Sequence, residues 1–255
     1  MNGFSIRRSA AVVIGLTALL LSAAIALSAQ EPAAGAPFAP GEVLTYRAVS
    51  GRFGPFGTGA MRVMGPVDIR GEPALELAFD FRGRLGVFHV EDRTRSWIGV
   101  DHLRSLRYAK AERSPLGSHR EEVEIYPDEG RWIDAAGRSG ETECEHPLDE
   151  LSFLYYIRSL PLPDGAEYTL VHHFDPGRNP VSLKVLGRER TRVPAGEFET
   201  VVVEMRVRDE RVSAVRLFLT DDPSRIPVRI ESSAPWIGST RLLLIGVDGA
   251  NPRTE

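Results

Sequence analysis

Hydrophobic and polar residues alternate with a period of two through most of the chain. The clearest case is residues 75–81, where leucine and phenylalanine occupy the odd positions and polar or small residues the even ones. This period is typical of a half-buried β-strand, because successive side chains point to opposite faces of a sheet. The same alternation predicts about a dozen strands, over residues 44–48, 75–82, 87–90, 96–100, 103–109, 121–126, 131–134, 168–174, 181–190, 198–208, 211–219, 227–232 and 241–247.

Short turn sequences separate these strands. Pro127–Gly130 and Pro163–Gly165 are examples, each combining proline, aspartate and glycine. Strands this close together with no helix between them must pair antiparallel, because a parallel crossover uses more chain. The sequence therefore predicts an all-β fold over residues 41–248: a single domain formed by a long antiparallel sheet.

One segment has a helical period. Pro147 suits a first helical turn, and the acids that follow it favour a helix amino terminus. Leu148, Leu151 and Leu154 then follow at the three-residue spacing of one helix face. We expect one helix near residues 147–160, which either caps the open end of the curled sheet or joins two similar halves.

The amino terminus has the pattern of a secretory signal peptide. Arg7 and Arg8 precede an uncharged, apolar run over residues 9–29 that ends in small residues. We expect cleavage after Ala26 or Ala29 and export to the periplasm. An uncleaved membrane anchor is the alternative, because the run is about as long as a bilayer requires.

The remaining terminal segments are predicted to lack regular structure. Residues 1–29 are assigned to the signal peptide, residues 30–40 to a flexible tether rich in Ala, Pro and Gly, and residues 249–255 to a disordered tail. Contact with a membrane is expected only through the signal segment before cleavage.

Composition and charge exclude several classes of protein. Of 255 residues, 42% are hydrophobic and 26% charged, which is ordinary for a folded domain. The net charge of -4 gives a phosphate backbone no positive field, so nucleic acid is not expected as a partner. Cys144 is the only cysteine, so no disulfide can form within the chain. We expect this thiol to be buried, with a reactive thiol or a disulfide to another chain as the alternatives, and the protein to be monomeric.

Four local sequences together resemble a family of exported bacterial proteins, domain-of-unknown-function family 3108. They are Pro40-Gly41-Glu42 with Leu44 and Tyr46, the helix with Asp149, Leu151, Ser152, Tyr155, Tyr156 and Arg158, the segment 193–200, and the segment 221–229. The resemblance implies a periplasmic, mostly antiparallel β-protein whose long sheet is curled into a β-spiral or half-barrel, that is, an incomplete barrel. It carries over no catalytic residue. The sequence departs from the family in residues 51–59, which are unusually rich in glycine and aromatic residues.

Candidate catalytic and metal-binding groups are few. Asp221 and Asp222 are adjacent carboxylates, and catalysis needs two that converge from different environments. His172 and His173 are neighbours in a predicted strand, where they would point to opposite faces. Whether the four converge on one cavity is left open. No metal site, cofactor or catalytic residue is predicted, and the acids around Cys144 disfavour a thiolate nucleophile.

The apolar face of the sheet is the better candidate for a binding site. Phe53 and Phe56 occupy what we interpret as a mobile glycine-rich loop, and Trp97 and Trp132 are assigned to the concave face; these four are the predicted contacts of a ligand or partner. The predicted concave or core residues are Leu75, Leu77, Phe79, Phe81, Phe88, Trp97, Trp132, Phe198, Val202, Leu217, Leu219 and Trp236. Whether they fill the interior or line an open groove is left undecided.

These patterns favour a non-catalytic periplasmic protein of the cell envelope that binds a hydrophobic ligand or a protein partner. A lipid or lipoprotein carrier is an alternative within the same class. A hydrolase acting on an envelope polymer is the alternative from another class, and it would need polar residues that converge in a cleft.

Overall fold

The structure is a computed structural model that describes residues 35–208, 214–234 and 238–249. The predicted signal peptide, most of the predicted tail and Trp236 lie outside the described residues. One α-helix, α1, spans Glu150–Ser159. The strands are β1 Val43–Ser50, β2 Gly54–Ile69, β3 Glu72–Leu85, β4 Phe88–Gly99, β5 Ser105–Ser114, β6 Gly117–Tyr126, β7 Arg131–Asp134, β8 Ser139–Glu141, β9 Glu167–Leu170, β10 Val181–Val193, β11 Gly196–Arg206, β12 Val215–Thr220, β13 Pro227–Ala234 and β14 Gly238–Asp248.

All fourteen strands of the described residues belong to one antiparallel sheet. Its order is β8-β7-β6-β5-β4-β3-β2-β1-β14-β13-β12-β11-β10-β9, so the first and last strands pair at its centre. The edge strands β8 and β9 do not pair with each other, and the sheet is curled without closing. The predicted all-β fold, a curled antiparallel sheet with one helix, is confirmed.

The core lies on the concave face of the sheet, between the strands and α1. Leu44 and Tyr46 of β1 are fully buried there, as are Leu77 of β3 and Leu244 of β14. A second cluster joins Ile157 of α1 to strands β9–β12. The helix therefore contributes to both halves of the core, as an element that covers one end of the curled sheet.

The amino terminus of α1 is fixed by a buried carboxylate. Asp149 is fully buried, and its Oδ1 accepts hydrogen bonds from the backbone N–H groups of Leu151 (2.9 Å) and Ser152 (3.0 Å). Its Oδ2 accepts from the hydroxyls of Ser96 on β4 and Ser105 on β5. Asp149 thus caps the helix and ties it to two strands. The helix begins at Glu150, three residues after the predicted start at Pro147, because the capping residue is Asp149.

The carboxyl end of α1 is held by an ion pair. The Arg158 guanidinium donates to both carboxylate oxygens of Glu42, at 2.7 and 2.8 Å, and both side chains are buried. It also donates to the carbonyls of Pro37 and Ser224. Since Glu42 precedes β1 and Ser105 begins β5, α1 lies across the end of the sheet where these two strands start.

The predicted tether is corrected at its carboxyl end. Phe38 is only 4% exposed, and its ring packs edge-to-face against Tyr155 at 4.9 Å between centroids. Pro37 is also buried. Burial of a phenylalanine side chain stabilises the folded state by about 1.5–3 kcal/mol relative to an exposed one. This burial favours one position for a segment whose composition alone favours flexibility. The part of residues 30–40 before Gly35 lies outside the described residues.

The glycine-rich segment 51–59 is also corrected, because Gly54 onwards belongs to β2. A Cβ added at Gly57 would lie 2.6 Å from the Phe81 ring, and one at Gly83 would lie 2.9 Å from it. These glycines therefore allow an aromatic ring to pass close to the backbone. Only the turn around Phe53 is outside the strands.

Candidate functional site

A cavity of about 170 Å³ lies between the amino-terminal half of α1 and the concave face of the sheet. Its lining residues are Met61, Phe79, Asp92, Thr94, Lys110, Glu150, Leu151, Leu154, Ile230 and Leu242. Apolar side chains from α1, β2, β3, β13 and β14 form most of its wall. The cavity joins the two halves of the chain, because β2 and β3 lie on one side of the β1–β14 pair and β13 on the other.

The cross-strand register places the floor of the cavity. Met61, Phe79, Thr94 and Lys110 are successive partners on β2, β3, β4 and β5. The next inward-facing row, two residues nearer the start of β5, contains Ser96, to which the helix cap is bonded. The cavity therefore lies deeper along the strands than the helix cap, toward the end of the sheet that α1 does not cover.

A cluster of charged groups forms the polar rim of the cavity. Glu150, the first residue of α1, accepts hydrogen bonds from Lys110 Nζ at 2.9 Å and from the Tyr108 hydroxyl at 3.0 Å. Its other carboxylate oxygen binds the Arg178 guanidinium. Asp92 lies next along the rim and accepts a hydrogen bond from Thr94 Oγ1 at 2.7 Å. An apolar wall with one charged rim matches a ligand that is itself apolar with a polar end.

The rim groups influence one another's protonation. Burial alone would raise the pKa of Glu150, but the charges of Lys110 and Arg178 lower it to about 2. Burial likewise disfavours the ammonium of Lys110, yet Glu150 and Asp92 raise its pKa above the ordinary value. The pKa of Asp92 is raised, chiefly by burial. At neutral pH the rim therefore holds a carboxylate and an ammonium that are already paired, which suits binding better than proton transfer.

The four predicted contact residues are not brought together at this cavity. Phe53 is 52% exposed in the turn between β1 and β2. Phe56 is half-buried and packs against Phe81 at 5.6 Å between ring centroids. None of the four lines the cavity. Their assignment as ligand or partner contacts stays a prediction.

The two tryptophans lie on different sides of the sheet. Trp97 packs with Ile69, Ala74 and Leu106 and under the Arg107 guanidinium, on the convex face, which corrects its assignment to the concave core. Ser96 and Ile98, on either side of Trp97 along β4, face the concave core, so the regular alternation of this strand directs Trp97 outward. Trp132 pairs with Ile125 and meets Phe174 edge-to-face at 5.9 Å, beyond the cavity.

The candidate catalytic residues make separate structural contacts. Asp221 accepts hydrogen bonds from Arg188 at 2.7 Å and Arg225 at 2.9 Å. Asp222 accepts from Ser224 in the turn after β12. His173 stacks on Phe153 of α1, and its backbone N–H donates to Asn179. Within the described residues these groups do not face a shared cavity, and no cluster of three metal-ligating side chains occurs there.

Cys144 is half-buried and unpaired, on the segment between β8 and α1. Burial, with smaller contributions from the charges of Glu143 and Glu145, raises the pKa of its thiol to about 11. At neutral pH this thiol is almost wholly protonated and is therefore a weak nucleophile.

In the part of the chain that the structure describes, no helix is long and apolar enough to cross a bilayer.

Sequence reasoning missed the charged rim. A signal was present: Asp92, Thr94 and Ser96 are polar at the alternate positions of β4 that face inward, and Lys110 is one of only two lysines. Inward polar residues on a half-buried strand mark either a structural hydrogen bond or a binding site. Ser96 has the first role, since its hydroxyl donates to Asp149, whereas Asp92 lines the cavity.

Solved structures share this architecture. A β-barrel-like protein of domain of unknown function DUF1849 from Brucella abortus superposes with a TM-score of 0.52 at 10% identity, covering 82% of this chain and 97% of that chain. An identity this low shows similarity of fold alone.

Two further structures match with lower TM-scores. A protein from Bacteroides fragilis NCTC 9343, described as a proposed exported protein with a YmcC-like fold, matches at a TM-score of 0.29 and 12% identity, covering 84% of this chain and 98% of its own. A proposed lipoprotein from Parabacteroides distasonis ATCC 8503 matches at 0.27 and 10%, covering 83% and 98%.

A search of the curated proteins finds no significant match. A family model does match, over residues 44–245, which include every residue that lines the cavity as well as α1. These residues also contain three of the four local sequences in full, and Leu44 and Tyr46 of the fourth. The chain therefore belongs to the DUF3108 family, whose members are described as proteins of unknown function.

Proposed function

We propose that this protein is a non-catalytic envelope protein of the periplasm that binds an amphiphile in the cavity beside α1. The apolar part of the ligand lies against Leu151, Leu154 and Leu242, and its polar end meets Lys110 and Asp92 at the rim. The observation that carries the proposal is the joining of an apolar wall to one charged rim in a single cavity.

The size of the cavity limits how much of the ligand it encloses. Its volume of about 170 Å³ is close to that of engineered cavities that bind benzene, and below the 300–1,000 Å³ or so of sites that enclose a whole drug-sized molecule. A short apolar segment such as the end of an acyl chain fits. The rest of the molecule then extends across the rim.

The charged rim supports binding rather than hydrolysis. Glu150 already accepts from Lys110, Tyr108 and Arg178, so its carboxylate is not available as a general base. A hydrolase would need either an activated side-chain nucleophile or a water activated by an unpaired general base. The described lining residues of the cavity include neither a cysteine nor a serine.

A fluorescent fatty acid whose emission depends on polarity tests the proposal. We expect saturable binding by the wild-type protein, and at least about tenfold weaker binding by Leu154→Trp, because the larger ring fills the cavity. Leu186→Trp, the same change at an exposed position of β10, is the matched control and should bind normally. The proposal fails if the wild type does not bind the probe, or if Leu154→Trp binds as tightly as the control.

The periplasmic location rests on residues 1–29 and has its own test. Amino-terminal sequencing of the protein from a periplasmic extract should find a mature chain that begins between Leu27 and Gln30. Intact Met1 in the membrane fraction would instead show an anchor, and intact Met1 in the cytosol would contradict export.

A further inference from the structure

Three consecutive hairpins end at the same edge of the sheet with exposed apolar side chains. Phe53, in the turn between β1 and β2, is 52% exposed. Val87, in the turn between β3 and β4, is 74% exposed, and Phe88, the first residue of β4, is 54% exposed. Leu116, in the turn between β5 and β6, is 73% exposed. Because β1–β6 are antiparallel neighbours in chain order, all three turns lie at the end away from α1. Four large apolar side chains on three adjacent turns are a surface that costs free energy to leave in water.

The strand register aligns these side chains at one height. Gly57 pairs with Gly83, and extending that register by four residues places Phe53 level with Val87. Glu91 pairs with Arg113, and extending by three residues places Phe88 level with Leu116. Since neighbouring strands lie about 4.8 Å apart, successive turns are about 10 Å apart. The four side chains thus form a row roughly 20 Å long, which we call the tip surface.

Basic residues flank the tip surface. The segments 50–57, 82–90 and 113–120 contain five arginines and two histidines and no acid, although the whole chain carries a net charge of -4. Arg52, Arg84 and Arg113 are all exposed. Cations beside an apolar row match an anionic lipid surface, which offers phosphate groups at the height of the arginines and acyl chains below them.

We infer that the tip surface docks the protein on an anionic lipid bilayer. Phe53, Phe88 and Leu116 enter the interface, and the flanking arginines bind lipid phosphates. This goes beyond the sequence-based expectation, which limited membrane contact to residues 1–29. It is also independent of the proposed ligand cavity, whose lining residues are all different.

Flotation with lipid vesicles tests the inference. We expect the protein to float with vesicles of phosphatidylglycerol and phosphatidylethanolamine, much less with vesicles of phosphatidylcholine, and less as salt rises from about 0.05 to about 0.5 M. The double change Phe88→Asp with Leu116→Asp should weaken binding at least about tenfold. Val100→Asp, an exposed apolar residue in a turn at the opposite end, is the matched control and should bind as the wild type does.

A second measurement reports position and does not depend on the acidic variants folding. A polarity-sensitive dye is attached at Leu116→Cys or at Val100→Cys, each in a Cys144→Ser background. Anionic vesicles should increase emission at position 116 and leave position 100 unchanged. Residues 1–34 are the same in all these proteins, so any binding through that segment is common to them.

Several outcomes would overturn the inference. It fails if the wild type ignores anionic vesicles, binds phosphatidylcholine equally well, or shows no dye response at position 116. It also fails if the wild type is a dimer that Phe88→Asp dissociates, because a second copy then covers the tip surface. Leu154→Trp should float as the wild type does, so loss of fatty-acid binding and loss of vesicle binding can be told apart.

Discussion

The two ends of strands β1–β6 are built in opposite ways. At the end covered by α1, the turns are bonded to one another: Arg104 donates to Glu72 and to Asp128, which belong to two other turns. At the tip surface, the side-chain contacts of Arg52 with the Phe53 ring and of Arg84 with the Gly86 carbonyl remain within one hairpin each. The turn between β1 and β2 is bonded to the neighbouring strand β14 through its backbone, where the Gly51 N–H donates to the Ser239 carbonyl.

Charge follows the same division. The turn segments 68–72, 100–104 and 127–130 at the helix end contain five acids and two arginines, whereas the three tip segments contain no acid. Ion pairs thus join the turns at one end of this sheet, whereas the turns at the other end are apolar and basic. Substitutions at the two ends should therefore differ in what they change.

The largest effect is expected at the helix end, from Arg158→Met. The change leaves the buried Glu42 carboxylate without its partner, which costs about 3–5 kcal/mol of unfolding free energy. Urea denaturation measures this loss. Adding Glu42→Gln to this variant should recover part of the lost stability. Arg190→Met, which removes an ion pair exposed on the surface, is the control and should have little effect. A loss below about 1 kcal/mol would show that the pair does not hold the helix.

The next effect depends on pH and concerns His173. Burial lowers the pKa of this imidazole to about 4, and the charge of Arg178 adds to the shift. The unfolded chain, with a pKa near 6.5, therefore binds the proton first. Stability should be unaffected above pH 6.5 and should fall as the pH drops from about 6.5 to about 4, by at most about 3 kcal/mol from this residue.

Unfolding at a series of pH values, compared between the wild type and His173→Gln, isolates that contribution. The variant should lose stability less steeply across this window. His119→Gln, an exposed histidine, is the control and should follow the wild type. Equal slopes for wild type and His173→Gln would contradict the assignment of a buried neutral imidazole.

A smaller effect is expected from Phe56→Ala, just inside the tip surface. The ring is half-buried against Phe81, so its loss should cost about 1–2 kcal/mol, less than the 3–5 kcal/mol typical of a fully buried phenylalanine. Thermal unfolding measures the change. An unchanged melting temperature would mean that the predicted mobile loop extends into β2 after all.

The smallest effect on stability is expected from Phe53→Ser, only three residues away. The side chain is more than half exposed, so the unfolding free energy should change by less than about 0.5 kcal/mol. Vesicle binding should nonetheless weaken. If this variant melts as low as Phe56→Ala, the tip is part of the core and the difference between the two ends disappears.

The alternation of side chains was sufficient to predict the class of fold. It identified strands such as β3 and the position of α1, because period-two and helical patterns depend on burial along a single element. It does not predict β2. The glycines of residues 51–59 suggest a mobile loop, whereas Gly57 of β2, together with Gly83 of β3, makes room for the Phe81 ring. The contact between Gly57 and Phe81 joins residues that are distant in sequence.

The site was harder to predict, since it depends on register across strands. Lys110 belongs to the cavity because it pairs with Thr94, and Glu150 because Asp149 fixes the helix start. The sequence analysis places Trp97 on the wrong face, because both faces of β4 bury side chains here: Ile98 packs on the concave side, and Trp97 packs against Leu106 on the convex side. Neither a second buried face nor a pairing partner is visible in the alternation of one segment.

The pairing of the first strand with the last has a consequence for folding kinetics. Val43 pairs with Asp248 and Ser50 with Thr240, so the central pair of the sheet joins residues from nearly opposite ends of the chain. Closing so long a loop costs entropy before any contact offsets it, and contacts of this kind slow folding. We expect the hairpins of β1–β6 and of β10–β13 to form early. The two halves then join only when β14 is complete, so a nascent chain cannot acquire its native sheet before synthesis reaches that strand.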